Sequence, residues 1–75
     1  MTKTIIINGK SVTVDDRITV MHADGDRVDL AGPSDADKPI SDAIGLNSLF
    51  LELDSGDFYY YTSAEWDPIG GSADA

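Results

Sequence analysis

The chain contains no cysteine and one histidine, His22, which removes several classes of site at once. Without cysteine it can form neither a disulfide nor a thiolate metal site. One histidine is too few for a multi-histidine zinc site. No Gly-x-Ser-x-Gly elbow and no glycine-rich phosphate loop occur in the sequence, and His22 is the only candidate base. The sequence therefore predicts no catalytic residue, no cofactor or metal ligand and no enzymatic activity.

Positive charge is also scarce, because 5 Lys and Arg face 14 Asp and Glu and leave a formal net charge of −9. Such a chain repels phosphate, which argues against direct binding to nucleic acid or to an anionic membrane. We interpret most of the acids as solvated turn residues, since the spacing around Gly25 does not fit an EF-hand. The alternative is that they imitate a nucleic-acid backbone and block the basic cleft of a host enzyme.

Long apolar runs are missing too, since Ile5–Ile7 is followed at once by Asn8 and Gly9. A signal peptide and a membrane span both need longer apolar segments. We therefore expect the protein in a cytoplasm, or inside or on a particle assembled there. At 75 residues the core is small, and with disulfides excluded, oligomerisation is the remaining route to additional stability.

The first clear signal is Asn8-Gly9 between two β-prone runs, which predicts a hairpin with a two-residue type I′ turn. This loop length places Ile5 opposite Val12 and Ile7 opposite Lys10. Because successive side chains alternate between faces, one face of the ribbon is apolar. That face consists of Ile5, Ile7, Val12 and Val14.

A second hairpin is predicted around Asp24-Gly25. Its register would place one set of side chains on one face, namely Thr19, Met21, Val28 and Leu30. The other set would be Val20, His22, Arg27 and Asp29. The proline-containing segment 31–47 then predicts a loop, the part of the domain most prone to be mobile, with at most one helical turn at 41–44 before Gly45.

The segment 48–71 predicts a third hairpin that is apolar or aromatic on both faces. The loop is either the two residues Ser55-Gly56 or the three residues 54–56 with a bulge, which shifts the partners by one position. One face carries Leu49, Leu51, Leu53, Phe58 and Tyr60. The opposite face carries Phe50, Glu52, Tyr59 and Tyr61, and after it Trp66 and Ile69 predict a further short strand or a strap.

These patterns predict a mainly β fold, a small antiparallel sheet or barrel-like meander of about three hairpins. We expect a single domain over 1–69 and a flexible tail over 70–75. The first hairpin offers only one apolar face to cover the third. We therefore predict a protein interface at Phe50, Glu52, Tyr59, Tyr61 and Trp66. Packing of these aromatic side chains inside the chain and stacking on a sugar are the alternatives.

The run Leu51–Tyr61, LELDSGDFYYY, followed by Trp66, resembles a hairpin of small structural proteins of tailed phages and prophages. Its general form is an apolar-Glu-apolar-Asp-Thr-Gly hairpin, a Tyr-rich strand, a turn and a short strand with Trp. Here Ser55 replaces the threonine, and the segment 62–64 replaces an Asp-Gly turn. The resemblance implies a virion or virion-assembly component, often a homotrimer, that works by binding copies of itself or another virion protein.

Overall fold

The computed structural model describes residues 1–69, so the predicted flexible tail over 70–75 lies outside the described residues. Seven β-strands follow one another without a helix between them in this part of the chain. Their bounds are β1 Thr2–Ile7, β2 Lys10–Asp15, β3 Thr19–Asp24, β4 Arg27–Gly32, β5 Leu49–Glu52, β6 Phe58–Tyr61 and β7 Trp66–Pro68. They form a two-stranded sheet, β1-β2, and a five-stranded sheet in the order β3-β4-β5-β6-β7. The prediction of a mainly β fold is confirmed, and neither sheet closes into a barrel within the described residues.

The β1–β2 hairpin has the predicted register, with Ile5 opposite Val12 and Ile7 opposite Lys10. Both turn residues have positive φ, 51° at Asn8 and 81° at Gly9, which is the type I′ conformation that Asn-Gly favours. The predicted apolar face is the inner one. Ile7, Val12 and Val14 are buried on it and Ile5 packs against them.

The β3–β4 hairpin exists, but its predicted register is wrong: the turn lies one residue later in the chain, so the cross-strand partners next to it are shifted by two residues. Asp24 pairs with Arg27, so the two-residue loop is Gly25-Asp26. A type II′ turn needs positive φ only at its first central residue, and Gly25 has a φ of 65° there. The pairing then slips between Val20 and His22, which leaves Met21 in a β-bulge. The bulge turns Met21 away from the face of Val28 and Leu30, where the sequence had placed it.

Between β4 and β5 the pairing is parallel, with Leu30 beside Phe50 and Gly32 beside Glu52. Parallel neighbours cannot be joined by a tight turn, so the chain must cross over between them. Residues 33–48 make this connection without regular structure. Ala31 and Gly32, predicted as loop, belong to β4, and the predicted helical turn is a hydrogen-bonded turn from Ser41 to Ile44.

The β5–β6 hairpin is shifted by two residues from the predicted two-residue-loop register. Leu51 faces Phe58 and Leu49 faces Tyr60. The loop is longer than two residues, since the strand pairing ends at Leu51 and Phe58. Within the loop, the amide of Gly56 donates to the carbonyl of Glu52 at 2.7 Å. A shift of two residues does not exchange the faces of a strand, so both predicted faces are preserved. The predicted short strand at Trp66 is β7, which extends to Pro68.

The core lies between the β1–β2 hairpin, the connection 33–48 and one face of the five-stranded sheet. Phe50 and Ile18 are completely buried at its centre. Gly32 lets them approach β4, because a Cβ there would lie 3.1 Å from Cγ1 of Ile18 and 3.3 Å from Cζ of Phe50. Within residues 1–69, the sheet therefore has one face covered by the chain itself and one face without such a cover.

Candidate functional site: the outer face of the five-stranded sheet

The structure brings together the five residues predicted as an interface, but on the covered face of the sheet. Phe50, Glu52 and Tyr61 are buried, while Tyr59 and Trp66 are half-buried. The ring centroid of Trp66 lies 5.9 Å from that of Phe50 and 4.9 Å from that of Tyr61. Packing inside the chain therefore accounts for the aromatic cluster. The interaction predicted for these residues stays a prediction, and the opposite face of the sheet carries the exposed apolar side chains Met21, Phe58 and Ile69.

The carboxylate of Glu52 forms an ion pair with Lys38, a residue that no sequence pattern singles out. Nζ of Lys38 lies 2.6 Å from Oε2 of Glu52 and 4.3 Å from the ring centroid of Tyr59. Ser55 donates a hydrogen bond of 2.7 Å to the second carboxylate oxygen. Burial raises the pKa of Glu52, but the hydrogen bonds from Lys38 and Ser55 outweigh burial and leave this pKa below its usual range. Glu52 is thus a buried structural charge that ties the connection to β5.

Two further aromatic side chains hold the connection 33–48 against the sheet. The hydroxyl of Tyr61 accepts a hydrogen bond from the amide of Ser41 at 3.1 Å and donates one to its carbonyl at 3.0 Å. Nε1 of Trp66 donates to the carbonyl of Pro39 at 2.8 Å. The polar edges of the aromatic cluster therefore satisfy backbone groups of the segment that covers them.

The outer face is defined here as the side of the five-stranded sheet that points away from the core. The strand pairings place two rows of side chains across it. One row is His22, Asp29, Leu49, Tyr60 and Asp67. The other is Ala31, Leu51 and Phe58, continued by Ile69, whose amide donates to the carbonyl of Phe58 at 2.9 Å. Phe58 is 49% exposed and Ile69 is 41% exposed, so apolar side chains reach solvent across several strands.

A shallow, open groove of about 430 Å³ runs along the β3 side of the outer face. Met21, Leu49, Leu51 and Phe58 form its apolar walls, with His22 and Asp29 at its polar end. Met21 reaches the groove because of the bulge in β3, and its side chain remains 61% exposed. The shape and lining suit a large apolar side chain from a partner.

The carboxylate of Asp29 places a negative charge at the polar end of the groove. Its neighbours neutralise this charge only in part and leave one of its oxygens without a hydrogen bond among the described residues. Nη2 of Arg27 lies 3.5 Å from Oδ1, and Nδ1 of His22 lies 4.0 Å from Oδ2. Oδ1 is buried and has no hydrogen-bond partner among the described residues. A positive charge or donor placed near the carboxylate would stabilise it. The sequence placed His22 on an edge strand but gave no signal that Asp29 lies opposite it, because that pairing depends on the shifted turn.

A second groove, of about 550 Å³, lies between the connection and the β6–β7 turn. Ile40, Ile44, Leu46 and Tyr61 are among its lining residues. Apart from Tyr61 its lining residues lie in loops, which makes it a less precisely held surface than the outer face. We therefore take the outer face as the candidate functional site.

Residues 1–69 contain no group of three acidic or histidine side chains close enough to hold a metal ion. In the same part of the chain, no helix is long and apolar enough to cross a membrane. Comparison of the chain with protein-family models, curated proteins and solved structures finds no match. The outer face must therefore be interpreted from its own geometry and chemistry.

Proposed function

We propose that the chain is a non-enzymatic structural or accessory protein of the phage type that binds another protein through the outer face. The observation that carries this proposal is the contrast between the two faces of one sheet. The inner face is covered by the β1–β2 hairpin and the connection, while Met21, Phe58 and Ile69 remain exposed on the outer one. A contiguous exposed apolar patch on so small a protein is typical of an interaction surface.

The choice of a different protein over a second copy follows from charge. Each copy has a formal net charge of −9, so association of two copies brings like charges together. The aromatic cluster, which was the sequence argument for self-assembly, lies inside the chain. The phage setting rests on the resemblance of the Leu51–Tyr61 hairpin.

The distribution of acids bears on the alternative of nucleic-acid mimicry. Mimicry calls for one acidic stripe with phosphate-like spacing. Asp24 at the end of β3 and Asp26 in the following turn lie at one end of the five-stranded sheet, whereas Asp54 and Asp57 lie in the turn at the other end. This scatter favours contact through the apolar groove over contact through a charged stripe.

Site-specific photo-crosslinking in cells that produce the protein tests the proposal. A photoreactive phenylalanine derivative replaces Phe58 on the outer face and, in a control protein, Ile6, which is 64% exposed on β1. We expect irradiation to give a discrete heavier adduct from position 58 and none from position 6. No adduct at position 58, or the same adducts at both positions, would contradict the proposal.

A further inference from the structure

The size of the outer face limits what can occupy it. Five strands spaced by about 4.8 Å make the sheet about 19 Å wide, and a four-residue strand such as β5 rises about 13 Å. The projected area of the sheet face is therefore about 250 Å². This is small beside the roughly 800 Å² of accessible surface that each partner buries in a stable interface between globular proteins. A short extended segment fits this area better than a folded domain or a second copy.

Two acidic side chains of the outer face, Asp29 and Asp67, lie at a fixed distance from each other. Asp29 on β4 and Asp67 on β7 belong to the same cross-strand row, with Leu49 and Tyr60 between them. Three strand spacings separate the two acids, or about 14 Å. Asp67 accepts one hydrogen bond, from Oγ1 of Thr62 at 3.1 Å, while the Asp29 side chain pairs with Arg27 at 3.5 Å and is 29% exposed.

An extended peptide that crosses the strands can match this spacing. Residues i, i+2 and i+4 of an extended chain point to the same side, and i and i+4 are about 13 Å apart. Basic side chains at i and i+4 would then lie beside Asp29 and Asp67, while the residue at i+2 would contact the apolar row between them. Such a segment also complements the net charge of −9.

From this arrangement we infer that the outer face binds an extended segment of another protein with the pattern basic-x-apolar-x-basic, laid across β4 to β7. The inference rests on the proposed function and specifies the partner's chemistry. The apolar residue anchors the segment against Leu49 and Tyr60, and the two basic residues fix its position along the row. Binding is weak for a single segment, because an exposed pair of opposite charges contributes little affinity.

Two synthetic peptides of identical composition provide the test. The matched peptide is acetyl-Gly-Arg-Thr-Leu-Thr-Arg-Gly-amide, and the control is acetyl-Gly-Arg-Arg-Leu-Thr-Thr-Gly-amide. Each is titrated into the isotope-labelled full chain and followed by amide and methyl NMR shifts. We expect the matched peptide to shift signals of Met21, Leu51 and Tyr60 and to bind about two- to fivefold more tightly, since the control loses one charge pair.

Three variants distinguish binding to the row of acids from attraction to the general negative charge of the chain. Asp67→Asn and Asp29→Asn each remove one acid from the row, while Asp16→Asn removes the same charge from an exposed turn outside this row. The preserved dispersion of the amide spectrum verifies that each variant folds. We expect the two row variants to abolish the preference for the matched peptide and Asp16→Asn to keep it.

Equal affinity for both peptides, or an equal loss in all three variants, overturns the inference in favour of general charge attraction. Absence of shifts on the outer face with the matched peptide also overturns it. These results leave the photo-crosslink from position 58 unaffected, so failure of the segment and failure of the proposed function can be told apart. Loss of that crosslink alone counts against the proposed function.

Discussion

At the scale of single residues, the buried pair of Lys38 and Glu52 has the largest expected effect on stability. The Glu52 side chain is 7% exposed, and its two oxygens are held by Lys38 and Ser55. Removing one partner of a buried ion pair leaves an uncompensated charge in the interior. The sequence could not identify this pair, because Lys38 lies in a connection without periodicity and the contact spans fourteen positions.

We expect Lys38→Met to lower the free energy of unfolding by about 3 kcal/mol, because methionine keeps most of the stem but leaves the Glu52 carboxylate without its cation. Arg17→Met is the matched control, since Arg17 is half-exposed and pairs with Asp15 at the surface. Urea unfolding at pH 7 measures both variants. A loss for Lys38→Met no larger than that for Arg17→Met would contradict the assigned role of the pair.

The same pair predicts a pH dependence with a definite sign. The pKa of Glu52 is below its usual range in the folded chain, so its contribution to stability is complete above about pH 4.3, where an unfolded glutamate titrates, and is lost as the pH falls through the folded value. In Lys38→Met burial still raises the pKa of Glu52 and only the Ser55 hydrogen bond still lowers it, so this pKa is higher than in the wild type. The stability difference between wild type and variant should therefore shrink between about pH 7 and about pH 3. A difference that stays constant or grows would show that Glu52 does not titrate as described.

The turn between β6 and β7 stores backbone strain in two residues that are poorly suited to it. Ser63 has a φ of 59° and Ala64 a φ of 90°, and the amide of Thr62 closes the turn on the carbonyl of Glu65 at 2.9 Å. Glycine adopts such conformations without the steric cost of a Cβ. We expect Ala64→Gly to raise the free energy of unfolding by about 1 kcal/mol.

Ala23→Gly provides the control for this substitution, because Ala23 lies in β3 without a positive φ. There the added flexibility of glycine should lower stability by about 0.5 to 1 kcal/mol. Thermal or urea unfolding of the two variants therefore gives opposite signs. Destabilisation by both substitutions would count against a strained turn.

At the scale of elements, turn chemistry decided how far the strand pairing could be predicted. Asn8-Gly9 fixes one loop length, and its register is confirmed. The turn at Gly25 lies one residue later than predicted and the turn at Gly56 is longer than predicted, and each change shifts the nearby cross-strand partners by two residues. A shift of two preserves the faces of the strands, as in β5 and β6, whereas the bulge in β3 moved Met21 to the outer face.

What the sequence could not decide was which face of the third hairpin is covered. That choice depends on the parallel pairing of β4 with β5 and on the course of the connection 33–48. Both are non-local, and neither leaves an alternating pattern in the sequence. The aromatic residues look like an interface in the sequence for the same reason that they make a good core, since they combine large apolar area with polar edges.

We expect the hydroxyl of Tyr61 to order the middle of the connection. Tyr61→Phe removes both hydrogen bonds to Ser41 and keeps the packed ring, so the free energy of unfolding should fall by about 1 to 2 kcal/mol. Amide hydrogen exchange should accelerate at Ser41 and Ala43. Tyr60→Phe is the control on the outer face, and equal effects of the two variants would contradict this role.

At the scale of the whole molecule, the chain combines a small core with a strongly one-sided charge. The inner face of the sheet packs against the apolar side chains of the first hairpin and the connection, and within residues 1–69 the other face has no such cover. Exposed Met21, Phe58 and Ile69 remain on the other side, beside two acids of one row. These features are the basis of the proposal that a partner supplies apolar groups and positive charge.

The measurement that tests the proposed binding most directly is the identification of the partner residue that crosslinks to position 58. Mass spectrometry of the digested adduct, obtained from cells that produce the protein, locates the attachment site in the partner. We predict a segment of a different protein with basic residues on both sides of an apolar one. Attachment to a second copy of this chain, or to an acidic segment, would contradict the account.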